Sequence, residues 1–308
     1  MKQITTNFND YKAILEADVV TVHTLVNYFK KDQIDFDEHG NVFIGFNDKT
    51  AGLPILVAHT DNVLHGKRIP VFDLNKRILS GKQAGIGFDD KAGIIAIIQL
   101  WKAFSKEQMF RIIFTAQEEV GGLGAQAMDE DRYLDAPWMI ELDRKNNKDL
   151  IQTSGGTRLC SDEFAAKWEE LGFVKAQGVY TDVNEFKERA NWINMVNLSI
   201  AYYNPHTDDE YLDTKQFDEI VNKVATFIEQ KYVFEDDKPD DKPTYNSGWW
   251  NNSSDRWSAD DNPMGWDYCW NCGKMTKRKP NANGEVFCGD DCERDYEDFV
   301  VKSNNKGK

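Results

Sequence analysis

Four apolar runs, each ending in acids or a histidine, constrain this chain more than any other feature. Leu53–Ala58 ends in His59-Thr60-Asp61, and Met109–Phe114 leads to Glu118-Glu119. Trp138–Leu142 stops at Asp143, and Ile193–Tyr203 stops at Asn204-Pro205-His206 and the acids through Glu210. Compact apolar runs suit strands buried on both faces, as in parallel sheets. Helical patterns around 94–104, 162–171 and 214–232 lie between or after them, and the last carries a stripe of Phe217, Ile220, Val221, Val224 and Ile228. Strands alternating with helices predict an α/β fold, a three-layer sandwich with a mostly parallel central sheet. Ligands of such sheets bind beyond the carboxyl ends of the strands, where these polar residues would meet.

Ahead of this core, residues 11–31 read as one amphipathic helix, and Ile34-Asp35-Phe36 with Val42–Phe46 reads as a hairpin whose turn holds an inert His39. The stretch Gly85-Ile86-Gly87-Phe88-Asp89-Asp90-Lys91-Ala92-Gly93 sets two aspartates among small, turn-forming residues before an apolar helix. Alone, such a pair is more often a solvated turn than a metal site. Two histidines and several carboxylates after separate strands change that balance, because divalent cations take imidazole nitrogen and carboxylate oxygen. A water held between two cations is nucleophilic at neutral pH. A neighbouring carboxylate must then take its proton and pass it to the leaving amine. Glu118-Glu119 offers a ligand and a base side by side. Taken singly, His59 or His206 fits an ordinary hydrogen-bonded polar residue as well.

Taken in this order, the motifs resemble the co-catalytic metallopeptidases of the M20 and M28 families. The matching segments are His59-Thr60-Asp61, Gly87–Gly93, Gln117–Gly121, Glu141-Leu142-Asp143 and Pro205-His206-Thr207, within residues 1–232. The resemblance implies that Asp89 bridges two metal ions through a cis Asp89–Asp90 peptide. It implies His59 and Asp143 on one ion, and Glu119 and His206 on the other. Glu118 would be the general base, and Asp61 would orient His59. The ions would be zinc, with cobalt or manganese as alternatives, and the substrate a peptide. Only about sixty residues separate Asp143 from His206, too few for the M20 lid, so the architecture is expected to be closer to M28. The Asp89–Gly93 segment itself reads closer to M20 or M42 enzymes. M28-like proteins place an aspartate in the substrate pocket where Tyr180-Thr181-Asp182 stands; an ordinary loop is the alternative there. Cys160, with no base motif beside it, reads as structural.

Beyond residue 235 the composition changes. Residues 236–264 read as an acidic disordered linker containing Trp249, Trp250 and Trp257, which either dock on a partner or are exposed by chance. Cys269, Cys272, Cys288 and Cys292 follow in a C-x2-C-x15-C-x3-C pattern, which predicts a structural zinc in a small ribbon or treble-clef-like module over 265–308. That module would serve protein docking or solubility before nucleic acid, since the net charge of −15 argues against a phosphate-backbone partner. No apolar run approaches a membrane span, and Met1–Asn7 lacks a signal-peptide core, so a cytoplasmic protein is expected. Oligomeric state is not legible. The reading is a metal-dependent exopeptidase, an aminopeptidase or di/tripeptidase, with a catalytic domain over 1–235. The alternatives are a related amidohydrolase (an N-acyl amino acid deacylase or carboxypeptidase) and a non-catalytic adaptor working through its zinc module.

Overall fold

A computed structural model describes residues 3–64 and 68–234, together with 267–268, 275–276 and 294. The chain divides into two compact units, residues 1–238 and 239–308. In the second, the described residues form a short antiparallel ribbon, Asp267–Tyr268 paired with Met275–Thr276. The four zinc-module cysteines, the linker tryptophans and His65 lie outside the described residues.

The first unit is built around a nine-stranded sheet. Its strands are β1 (Ile34–Phe36), β2 (Val42–Ile44), β6 (Arg111–Thr115), β3 (Ile55–His59), β7 (Trp138–Arg144), β11 (Asn194–Ser199), β8 (Asp149–Ser154) and β10 (Val174–Gly178), in that spatial order, with β9 (Thr157–Arg158) beside β8. The centre, β6-β3-β7-β11, is parallel, and β1, β2 and β8 add antiparallel pairings. The fold is therefore mixed α/β with a largely parallel central sheet.

Strand residues alternate between two apolar cores. Leu56 and Ala58 of β3 face one, with Ile112, Ile140 and Val196, while Ile55 and Val57 face the other, with Ile113, Met139 and Met195. The first core is closed by α3 (Phe88–Ala103), α5 (Asp162–Glu170) and α7 (Thr214–Glu229). The second is closed by α4 (Leu123–Ala127) and α6 (Asp182–Arg189). Burial on both faces explains why the central strands read as unbroken apolar runs. The stripe expected on α7 is buried as a whole, and Asp213 caps that helix by accepting the N–H groups of Lys215 and Gln216 at 3.0 and 2.9 Å.

Three expectations need correction. Residues 11–31 are not one helix but a 3-10 turn, Phe8–Tyr11, and two short helices, α1 (Lys12–Leu15) and α2 (Val22–Leu25). The carbonyls that would continue the helix are taken by other segments: Lys91 Nζ donates to Leu15 and Ala17, Arg68 Nε donates to Ala17, and the Asn62 amide donates to Asp18. The run from Ile193 to Tyr203 is split after β11 by Ala201, at φ 66°. Its end, β12 (Tyr202–Tyr203), joins a second sheet with β13 (Tyr211–Asp213), β5 (Ile78–Gly81) and β4 (Pro70–Asp73) that the pattern did not announce. Finally, Thr181 and Asp182 are not loop residues but the cap and first turn of α6.

Between Asp143 and His206 the chain continues the same sheet through β8 to β11, with α5 and α6, before β12 joins the second sheet, so no separate lid is inserted there. Packing is tight where α3 crosses β7. A Cβ on Gly93 would lie 2.2 Å from the Leu142 carbonyl oxygen and 2.5 Å from both Asp90 carboxylate oxygens. Gly93→Ala is therefore expected to cost about 1–3 kcal/mol through overpacking, read as a lower midpoint in urea unfolding.

Candidate active site

The parallel centre of the sheet delivers the site. His59 ends β3 in register with Thr115 of β6, and Glu118-Glu119 follows Thr115 by one short turn. Val57 pairs with Glu141, so Asp143 leaves β7 beside His59. Asp89 comes from the start of α3, after Gly87 at φ 77°, and its peptide bond to Asp90 is cis. His206, at φ 61°, reaches in from the loop after β12.

Asp89 stands at the centre. Its Oδ1 lies 3.0 Å from His59 Nε2, which is itself 3.5 Å from Asp143 Oδ1. Its Oδ2 lies 3.1 Å from His206 Nε2, which is 3.1 Å from Glu119 Oε1. Two ligand atoms held about 2.1 Å from a tetrahedral ion sit about 3.4 Å apart, so both groups have the spacing of co-ligands. Glu119 Oε1 is buried, and apart from the His206 ring nitrogen at 3.1 Å it has no donor beside it, leaving a lone pair that a cation would satisfy. One group, His59 with Asp89 and Asp143, is shut in; the His59 side chain is 0% exposed. The other opens outward through His206, whose side chain is 48% exposed. The donor set fits two divalent cations sharing Asp89.

Further contacts surround these two groups. The Asp61 carboxylate lies 3.5 Å from His59 Nδ1 and accepts the N–H groups of Glu118 and Glu119 at 3.1 and 3.2 Å. It can therefore orient the imidazole while fixing the Glu pair. Glu118 Oε2 is 4.0 Å from His59 Nε2, beside the ligands rather than among the closest of them. Asp90 also approaches His59, but its carboxylate accepts the N–H groups of Gly93 and His59 at 2.9 and 3.3 Å, tying α3 to β3. Asp143 is braced by Asn197, which accepts its N–H at 3.1 Å, and by the Tyr202 hydroxyl at 3.3 Å.

Several residues at the site, some of them quoted within the motifs above, had no role of their own assigned from the sequence. Buried Glu210 accepts the N–H of Gly87 at 2.6 Å and of Asp89 at 3.3 Å, holding the turn that presents Asp89. Lys91, fully buried, donates to the Ile86 carbonyl at 2.7 Å as well as to the 15–17 segment, so its role is to anchor the loop. Arg68 donates to Gly85 at 3.1 Å and to Asn62 at 2.8 Å. Glu141 accepts the Thr181 hydroxyl at the head of α6. Acids so close to the four strand-end motifs gave only a weak signal, because each serves the backbone of a remote segment.

The electrostatics are those of carboxylates crowded in a dry site. Burial, reinforced by Glu141, Asp89 and Glu119 against the opposing pull of His59, pushes Glu118 up to about 7. Burial and Asp89 likewise raise Asp143. Hydrogen bonding to Asp89 and Glu119 lifts His206 to about 10. For His59, burial works downward but is outweighed by Asp143, Asp61 and Asp89, so it too is raised. Both imidazoles are thus held toward their protonated forms, and ligating a cation would require each to give up that proton. Zinc uptake at pH 7 is expected to release protons and to weaken as pH falls. Calorimetry in buffers of different ionisation enthalpy measures the release.

Residues 40–157 match the model of the M42 glutamyl aminopeptidase family, a segment holding His59, Asp61, Asp89, Glu118, Glu119 and Asp143 but not His206. No curated protein matches the chain in sequence. Among solved structures, aminopeptidase PepT from Bacillus cereus is 14% identical, covering 72% of this chain and 97% of that one at a TM-score of 0.58. A tripeptidase from Staphylococcus aureus is 13% identical, with the same coverage and TM-score. A TET aminopeptidase from a marine-sediment thaumarchaeon is 12% identical over 73% of this chain and 96% of its own, also at 0.58. These structures share the fold. The family match and the two-cation donor set together support a metal-dependent exopeptidase, a hydrolase of the co-catalytic class.

Proposed function

We propose that the chain is an aminopeptidase or small-peptide hydrolase of the co-catalytic type, related to the M20, M28 and M42 families. The observation that carries it is Asp89, one carboxylate oxygen turned to each of two ligand groups. His59 and Asp143 would hold one ion, and Glu119 and His206 the other. When bound, the ions supply Lewis acidity at the scissile carbonyl and lower the pKa of water in the site. Glu118 takes the proton from the attacking water and returns it to the leaving amine. Asp61 keeps the His59 ring and the Glu118 backbone in place for that transfer. The electrostatics suit the task, since a base poised near the working pH transfers protons in both directions.

Asp182 supports cleavage from the amino end. It is buried next to the Glu118 loop, and neither of its carboxylate oxygens receives a hydrogen bond. The Thr115 hydroxyl lies beside it and also has the Ala58 carbonyl as an acceptor at 3.3 Å. A substrate ammonium is the group that such a carboxylate lacks. The four cysteines of residues 269–292 would hold a separate structural zinc, placing two catalytic ions and one structural ion on each chain.

The test uses the purified chain with free and N-acetylated forms of the same peptides, read by mass spectrometry. Cleavage restricted to the free peptides, one residue at a time from the amino end, fits the proposal. Removal of the acetyl group, or cleavage from the carboxyl end, moves the assignment to an amidohydrolase.

A further inference from the structure

The two groups that meet at Asp89 are carried by different kinds of backbone. His59 and Asp143 stand at the ends of β3 and β7, the first beside Asp61 and the second braced by Asn197 and Tyr202. His206 lies instead in the loop between β12 and β13, with its side chain half exposed. No strand carries it.

Glu210, at the far end of that loop, ties it to the turn that presents Asp89. The Glu210 side chain is buried and spans the start of α3. Its Oε2 accepts the Gly87 N–H at 2.6 Å, its Oε1 accepts the Asp89 N–H at 3.3 Å, and the Phe88 N–H between them bonds to the same carboxylate. The backbones touch as well. A Cβ on Gly85 would lie 2.5 Å from the Thr207 carbonyl oxygen and 3.3 Å from Glu210 Cβ, so the loop rests directly on the turn. The Glu210 N–H donates back to the Thr207 carbonyl at 3.2 Å, which closes the loop on itself. His206 Nε2 and Asp89 Oδ2, 3.1 Å apart, are thus joined a second time through Glu210. N–H groups converging on one carboxylate use both of its oxygens. A glutamine of the same shape puts an NH2 group in place of one oxygen and turns a donor toward a donor.

Resting on the assignment of two cations to this site, we propose that Glu210 is a positioning residue for the more exposed of them. It keeps His206 in register with Asp89 Oδ2, and its loss loosens the ion beside His206 and Glu119. The ion beside His59 and Asp143 keeps two ligands set by strands and stays bound. Groups that hydrogen-bond behind metal ligands change metal affinity by about 10–100-fold, which is the loss expected for Glu210→Gln at one ion only.

The test titrates cobalt(II) into the full chain freed of its catalytic ions, followed by calorimetry and visible absorption. Wild type, Glu210→Gln, His206→Ala and the double variant are compared, and thiolate absorption in the near ultraviolet marks any cobalt taken by the four cysteines. The expected result is two ions at this site in wild type, with one weakened by about 10–100-fold in Glu210→Gln. The double variant should bind no worse than His206→Ala alone, because both changes act on the same ion. Unchanged binding in Glu210→Gln, equal weakening of both ions, or additive losses in the double variant overturns the inference. Wild type binding fewer than two ions here overturns the two-cation reading and the inference with it. If urea unfolding shows that Glu210→Gln does not fold, Gly85→Ala decides, since its Cβ displaces the Thr207 carbonyl and leaves the carboxylate intact. The same selective loss in that variant supports the role of Glu210, and wild-type binding of both ions overturns it.

Discussion

Glu118→Ala is expected to lower turnover by about 10^2–10^4-fold while leaving both catalytic ions bound, because it removes the proton carrier and none of the atoms that hold the cations. Glu118 lies beside His59 at 4.0 Å, whereas the co-ligand distances around Asp89 are 3.0 to 3.1 Å. Its backbone N–H is fixed independently by Asp61, so truncation of the side chain should leave the loop in place. Metal analysis beside single-substrate kinetics separates the outcomes. A variant that keeps its ions and loses kcat fits a base. One that loses an ion along with activity places Glu118 among the ligands instead.

Asp89→Ala should have the opposite profile. One carboxylate serves both groups, with Oδ1 near His59 and Oδ2 near His206, so its removal takes a ligand from each ion at once. Loss of both catalytic ions and of measurable hydrolysis is the expected result. Zinc held by the four cysteines would remain, so the metal content of the variant should fall from three ions per chain to one. The fold is expected to persist, because Asp90 rather than Asp89 ties α3 to β3 through the N–H groups of Gly93 and His59. Circular dichroism on the same sample checks that loss of activity is not loss of structure.

The grouping of the candidate ligands at one edge of the sheet was legible because of how a parallel sheet is made. Strands buried on both faces must be apolar throughout, so the first polar residues past each run stand out, and β6, β3 and β7 bring three such ends together. Asp89 was legible through the small residues around it. What stayed hidden depends on segments distant in sequence. Glu210 is more than a hundred residues from the Gly87 turn that it holds. Lys91 and Arg68 look like surface charges until the 15–17 carbonyls are seen to accept from them. The same contacts break the helix that periodicity alone predicts over 11–31, because a hydrophobic stripe carries no information about which carbonyls a remote cation will claim. Asp182 is marked in the sequence only by its resemblance to an M28 pocket aspartate, with an ordinary loop as the alternative, and its burial as an under-bonded acid is visible only in the structure. The small sheet of β4, β5, β12 and β13 was hidden by strands of two to four residues, too short to show a period.

The central claim is that the groups gathered around Asp89 hydrolyse peptides through two bound ions. Its most direct test follows one unblocked peptide by mass spectrometry with the chain as purified, after chelation, and after reloading with zinc or cobalt. The account predicts stepwise loss of amino-terminal residues that stops on chelation and returns on reloading. Hydrolysis that survives complete removal of metal, or no hydrolysis with both catalytic ions bound, would contradict it.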